Sequence, residues 1–198
     1  MLRVVLPREF YARSAVEVAP DLIGSLLVRR LGDELLVGRI VETEAYMGSD
    51  DPASHAFRGV TERNRSMFMP GGYLYVYRSY GIHNCANVVT GEADAGMAVL
   101  LRAVEPITGT EAMRRRRSVD ADRRLAAGPG RLCEAFGIDG QNDGQDLLDD
   151  SLFIARATDR PKIGKTERIG ISVATERQWR FVEVGSRYLS RSYRGKDF

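Results

Sequence analysis

The chain has 198 residues, 43% of them hydrophobic and 28% charged, with a formal net charge of +2. It is long enough to bury a core, ordinary in composition for a soluble globular domain, and too balanced to signal a nucleic-acid partner by charge alone. No apolar run reaches the ~20 residues of a membrane helix, no leader pattern opens the chain, and two cysteines do not make a disulfide framework, so no membrane association and a cytoplasmic, nucleoid-associated location are expected.

Ser14 with Glu17 three residues on forms a capping box, predicting a short helix through Ile23. Residues 26–30 and 35–41 read as strands joined by a hairpin across Leu31-Gly32-Asp33-Glu34. Asp50-Asp51-Pro52 is loop, Thr61-Glu62-Arg63-Asn64 opens a helical turn, and Gly71-Gly72 turns into a strand over residues 73–79. Strands follow at 84–89 and 98–105, then a helix at 110–117. Gly128-Pro129-Gly130 leads into a helix over 131–136, stopped by Gly137. Further strands are expected at 152–155, 168–173 and 180–184. No repeat or linker divides residues 1–198, so the pattern predicts a single α+β domain, a curved antiparallel β-sheet flanked by helices.

Two segments carry the chemistry. Glu42, Glu44 and Tyr46 follow Gly38-Arg39-Ile40-Val41 directly, and in a strand all three share a face. Such acids are most often solvated, but one at the end of a buried strand can serve as a general base. Residues 73–80 hold four tyrosines: alternation puts Tyr73, Tyr75 and Tyr77 on one face, and Tyr80 falls at a turn beside Gly81. Acids beside clustered phenol rings suit a pocket that stacks a flat ring, and enzymes acting on a nucleobase take it out of the duplex into such a pocket. Tyr80, followed by Ile82 and His83, fits a wedge that unstacks DNA. Arg102 ends an apolar strand and, if turned inward, needs an acid, for which Glu44 is a candidate.

Other chemistries find less support. His55, His83, Cys85 and Cys133 match no zinc spacing, and nucleotide-cradling loops and serine-hydrolase elbows are missing, so neither a metal nor a cofactor is expected. The run Arg114–Arg117 reads as a solvated helix face. Only three of the 29 basic residues are lysines, Lys162, Lys165 and Lys196, so strand cleavage through a lysine Schiff base is not expected.

Taken together, residues 38–46, Arg63-Asn64-Arg65-Ser66-Met67-Phe68-Met69, 74–81, Cys85-Ala86-Asn87, 98–106 and Gly128-Pro129-Gly130-Arg131-Leu132-Cys133 resemble, in the same order, the alkyladenine (3-methyladenine) DNA glycosylases, the monofunctional enzymes without a helix-hairpin-helix motif. The resemblance runs from Phe10 to about Ser190. It implies that Glu44 deprotonates the attacking water beside Arg102, with a backbone carbonyl near Ile171 completing the water site. It makes Tyr46 and Tyr77 the sandwich for the flipped base, His55 the donor at its edge, and Asn87 the floor residue that crowds the 2-amino group of guanine. Tyr80, Ile82 and His83 become the DNA-intercalating side chains, and Arg63, Arg65 and Arg131 the phosphate contacts. His83 stands where the mammalian members have an aromatic, and no counterpart of their long N-terminal extension is expected.

The implied reaction is base excision from damaged double-stranded DNA by a monomer, with water as nucleophile. The base lost is an alkylated or deaminated purine such as 3-methyladenine, 7-methylguanine, hypoxanthine or ethenoadenine, and an abasic site remains. The competing readings are a catalytically silent protein that binds distorted duplex DNA, and a formyltransferase-type domain, which would lack any visible folate or nucleotide motif.

Overall fold

A 14-residue strand organises the architecture. The computed structural model describes residues 4–156, 159–193 and 195. Helices α1 (Arg8–Tyr11) and α2 (Ala15–Asp21) lead into the hairpin β1 (Leu26–Leu31) and β2 (Glu34–Met47). After a 3₁₀ turn at Glu62–Phe68 come β3 (Leu74–Ser79), β4 (His83–Thr90) and β5 (Met97–Thr108), then α3 (Thr110–Arg117) and α4 (Pro129–Phe136). The short strands β6 (Leu152–Ala155), β7 (Ile163–Thr166) and β8 (Arg180–Glu183) complete the sheet.

The strand order is β3-β4-β5-β2-β1-β6, with every pairing antiparallel. The long β2 changes neighbours along one edge: residues 34–39 pair with β1, whereas Glu42, Thr43 and Glu44 pair with β8, which in turn pairs with β7. Register shifts between Val37 and Gly38 and on both sides of Glu42 bend β2 at that change of partner, as bulges do. At the first bend Gly38 is obligatory, because a Cβ there would come within 2.7 Å of Val104 and 2.9 Å of Phe136.

The alternation of side chains sorts this sheet into two faces. Leu74, Val76, Ala86, Val88, Val99 and Leu101 point to the face covered by α2 and α4 and form its main core. Thr43 also faces that side, where its hydroxyl donates to the Ala19 carbonyl of α2 at 2.9 Å. The intervening residues, Glu42, Glu44, Tyr46, Tyr75, Tyr77, Asn87 and Arg102 among them, therefore share the opposite face. There a smaller apolar cluster of Ala56, Met67, Tyr75, Val89 and Ala98 supports them.

The α+β class, the flanking helices and most elements agree with the sequence. The capping box at Ser14 and Glu17 starts α2, the Leu31–Glu34 turn joins β1 to β2, and Gly137 ends α4 with a left-handed φ of 61°. β2 runs six residues beyond the expected end at Val41, to Met47, because its acids are neutralised by buried arginines rather than by water. The expected strand at 168–173 does not form. Its place on β8 is taken by Ile163–Thr166, while the Arg168 side chain and the Ile169 N–H are drawn inward to Asp51 and Glu44.

Candidate active site

Two carboxylates two residues apart on one strand face repel unless each is neutralised. Glu42 and Glu44 are both fully buried, and Arg102 on β5 bridges them. Glu42 Oε1 accepts from Arg102 Nε at 3.0 Å, Arg180 Nε at 2.8 Å and the Ser190 hydroxyl at 2.7 Å, while Oε2 accepts the Ser190 N–H at 2.6 Å. Its acceptor capacity is thus used up in holding two arginines and the C-terminal segment.

Glu44 is held more lightly. Its Oε1 accepts the Ile169 N–H at 2.7 Å, and its Oε2 accepts from the Tyr46 hydroxyl at 3.0 Å and Arg102 Nη1 at 3.2 Å. Burial pushes its pKa above the usual carboxylate range, against the opposing pull of Arg102, the Ile169 N–H and Tyr46. A carboxylate with raised basicity suits proton abstraction. The contact to Ile169 is made by a backbone N–H, while Ile171 lines the adjoining cleft.

That cleft, of about 650 Å³, is lined by Tyr46, His55, Tyr77, Asn87, Arg102 and Ile169 among others. Tyr46 is backed by the Arg168 guanidinium, 4.7 Å from its ring centroid; the same guanidinium lies 5.1 Å from Trp179. Arg168 and Asp51, both fully buried, pair through two hydrogen bonds, one of them 2.9 Å, and Arg168 also donates to the Ala45 carbonyl at 3.1 Å. Across the cleft, Tyr77 stacks on Tyr75 at 5.7 Å and meets the edge of His55 at 4.4 Å. Burial raises the pKa values of Tyr46 and Tyr77, so both hydroxyls keep their protons.

His55 Nδ1 lies 3.0 Å from the Tyr75 hydroxyl, and the Asn64 amide, donating to the His55 carbonyl at 2.9 Å, pins its loop. Burial, followed by the charge of Arg63, lowers the His55 pKa, which keeps the ring neutral at pH 7 with one nitrogen a donor and the other an acceptor. Asn87 is buried on β4, its amide N–H groups directed to the carbonyls of Tyr75 at 3.1 Å and Cys85 at 3.4 Å. That leaves its Oδ1 as the polar atom free for a ligand in the cleft.

At the mouth, the β3–β4 turn projects Tyr80 and Ile82, 92% and 70% exposed. Tyr80 has a φ of 49°, a left-handed conformation that costs a non-glycine residue roughly 1–2 kcal/mol. His83 is exposed, with its Cβ against Gly130 at the start of α4. Arg63 and Arg65 are exposed on the 3₁₀ turn, Arg63 donating to the Arg78 carbonyl at 3.0 Å, and Arg131 is exposed on α4. In contrast, the four arginines of α3 pair with Glu111, Asp122, Glu34 and Glu134, and Arg114, Arg116 and Arg117 are only partly exposed, so the expected solvated face is an ion-paired one. Lys162 and Lys165 do not line the cleft, and Lys196 lies outside the described residues. Among the described residues no cluster of three His, Cys, Asp or Glu side chains is placed to hold a metal.

Several groups that shape the site escaped the sequence reading. Asp51 and Arg168 are 117 positions apart, and only their burial reveals them as the support of Tyr46. Asn64 is legible in the sequence as a turn residue within the block 63–69 that carries the family resemblance, and Ser190 only as the end of that resemblance, neither with a role attached. A hint existed in the segment 167–180, where arginines and Trp179 cluster in a stretch without clear periodicity.

Comparison with known proteins bears on this arrangement. The family described as methylpurine-DNA glycosylase matches residues 9–187. A protein of Methanoculleus marisnigri named "Putative 3-methyladenine DNA glycosylase" is 48% identical over 193 residues, covering 95% of this chain and all of that protein. Proteins with the same name from Agrobacterium fabrum and Chlorobaculum tepidum are 48% and 44% identical, covering 95% and 96% of this chain and 93% and 92% of their own.

Proposed function

The chain belongs to the methylpurine-DNA glycosylase family, and from that premise we propose that it initiates base-excision repair by hydrolysing the N-glycosidic bond of a damaged purine flipped out of duplex DNA, with Glu44 as the general base. The observation that carries this reading is the fully buried Glu44 with its raised pKa, held by Arg102 at 3.2 Å beside a cleft of tyrosines.

A flipped purine fits between Tyr46 and Tyr77, with the neutral His55 offering a hydrogen bond at its edge. Alkylated bases such as 3-methyladenine and 7-methylguanine carry positive charge, so their glycosidic bonds are already weakened and the phenol faces attract them by roughly 0.5–2 kcal/mol per good contact. Hypoxanthine and ethenoadenine are neutral and gain most from the His55 contact. Asn87 sits on the cleft floor, where the bulk of its side chain crowds the 2-amino group of guanine. Tyr80, assisted by Ile82 and His83, fills the gap left in the duplex, while Arg63, Arg65 and Arg131 meet phosphates.

Glu44 exposes no surface, so seating the DNA must open a water-sized gap between Tyr46 and the Ile169 backbone. Water in that gap gives its proton to Glu44 and its oxygen to C1′. Until it takes that proton, the Glu44 carboxylate favours the cationic sugar by its negative charge. The electrons of the C1′–N bond leave with the base, neutralising one that is alkylated and cationic, while a neutral base takes up a proton from water as it leaves. The enzyme acts as a monomer, leaves an abasic site and does not cut the strand.

The test is base release from duplexes carrying one ethenoadenine or hypoxanthine and from methylated DNA, read before and after alkali. Wild-type protein should release base with nicking only after alkali, and Glu44→Gln should be slower by about 10²–10⁴-fold, the range for losing a general base. Release by Glu44→Gln within tenfold of wild type would remove Glu44 from that role. Tight binding without release by the wild type would instead point to a silent binder.

A further inference from the structure

A second concavity, of about 460 Å³, shares no lining residue with the catalytic cleft, and five arginines line it: Arg123, Arg124, Arg131, Arg187 and Arg191. The rest of its lining is Ser186, Ser190, Ser192, Ala127 and Leu189, with no carboxylate. All five arginines are exposed, and among the described residues none is ion-paired within 4 Å. The acid of the adjoining turn, Asp122, is taken up by Arg114. Arg187 also donates to the Tyr188 hydroxyl at 3.0 Å and Arg131 to the Ala127 carbonyl at 3.2 Å, but neither bond neutralises a guanidinium. The trough therefore keeps a concentration of positive charge that a polyanion can meet with the fork geometry that suits phosphate.

The trough also leads to the reacting centre. Through Ala127, Arg131, Ser190 and Arg191 it runs into an intermediate groove, which reaches Tyr80, His83 and Arg102 and so joins the base cleft. Ser190 is common to both, and it ties the trough wall to Glu42 at 2.6 Å and to Arg102 at 3.2 Å.

We propose that this trough grips the sugar-phosphate backbone of the DNA duplex on one side of the flipped nucleotide, with Arg124 and Arg187 as phosphate-contacting residues. The inference rests on the glycosylase reading and extends it, since it assigns DNA contacts to the 123–124 turn and the C-terminal segment. Because Ser190 belongs to both networks, a phosphate seated there bears on the segment that holds Arg102.

The experiment is the salt dependence of binding to a duplex with a stable abasic-site analogue. For Arg124→Gln/Arg187→Gln, the slope of log K against log salt should shrink in magnitude by about 0.9 per lost phosphate contact, about 1.8 for the pair. The Arg124→Lys/Arg187→Lys variant should recover most of it, and Arg115→Gln, which removes a charge on α3, should match wild type. Trimming the duplex on the trough's side of the analogue should weaken binding by wild type more than by Arg124→Gln/Arg187→Gln. An unchanged slope in the double Gln variant, an equal loss in Arg115→Gln, or the same sensitivity of wild type and double variant to both trims would overturn the trough while leaving the glycosylase intact. Failure of the wild type to bind damaged duplex or release any base would instead sink the reading on which the trough depends.

Discussion

Asp51→Asn breaks the ion pair on which Tyr46 rests. Both partners have no exposed side-chain surface, and the carboxylate of Asp51 also accepts the N–H groups of Ala53 at 3.2 Å and Met47 at 3.3 Å. The asparagine keeps the shape but leaves the Arg168 charge buried, with the Ala45 carbonyl and two aromatic faces around it. Leaving one charge of a buried pair uncompensated costs about 3–5 kcal/mol. At ~2–4 °C per kcal/mol for a chain of this size, Tm should drop by roughly 6–20 °C. Removing both charges in Asp51→Leu/Arg168→Met should cost less than Asp51→Asn alone, because it leaves no orphaned ion. The pH dependence has a fixed sign. Although burial works to raise the Asp51 pKa, Arg168 and the two N–H groups outweigh it and the net shift is downward. The pair therefore contributes stability above the unfolded value near 4 and loses it as pH falls through the lower folded pKa, a loss that Asp51→Asn should not show. Urea melts followed by circular dichroism at neutral pH and below pH 4 measure both effects. Destabilisation by Asp51→Asn of under about 1 kcal/mol, or a double variant worse than the single, would refute this account of how Tyr46 is supported.

Other consequences follow from the same geometry. Tyr80→Gly exchanges a left-handed penalty of about 1–2 kcal/mol for a glycine entropy cost of ~0.5–1 kcal/mol, so stability should be unchanged or rise by up to about 1.5 kcal/mol. Excision from duplex DNA should fall more than excision from single strands, and equal losses would argue against a wedge. Arg63→Gln removes a positive charge that helps hold the His55 pKa down, so the ring should titrate at higher pH than in wild type, a shift readable by NMR. Asn87→Ala opens the cleft floor, and the rate on 7-methylguanine relative to ethenoadenine should rise by about tenfold, equivalent to about 1.4 kcal/mol, in a competition assay.

What the chain order alone determined was local in its physics. A capping box, a two-residue alternation, a glycine at a helix end and a run of tyrosines each act within a few residues, so α2, the β1–β2 turn, β3 and the C-cap of α4 were legible. Alternation places Glu42, Glu44 and Tyr46 on one face of β2 and Tyr73, Tyr75 and Tyr77 on one face of β3, but only the strand pairing brings those two faces, and Arg102, to the same side of the sheet. Only the tertiary structure decided which acid is saturated and which is held loosely, since that depends on Arg180 and Ser190, brought to Glu42 from 138 and 148 positions away. Only it could turn residues 168–173 from a plausible strand into the wall of the cleft: a strand is recognised by its pattern, whereas burial of Arg168 against Asp51 and capture of the Ile169 N–H by Glu44 are pairings between distant segments. The arginine trough is of the same kind, because guanidinium groups from a turn, α4 and the C-terminal segment acquire a common function only when the fold sets them side by side and leaves no acid among them.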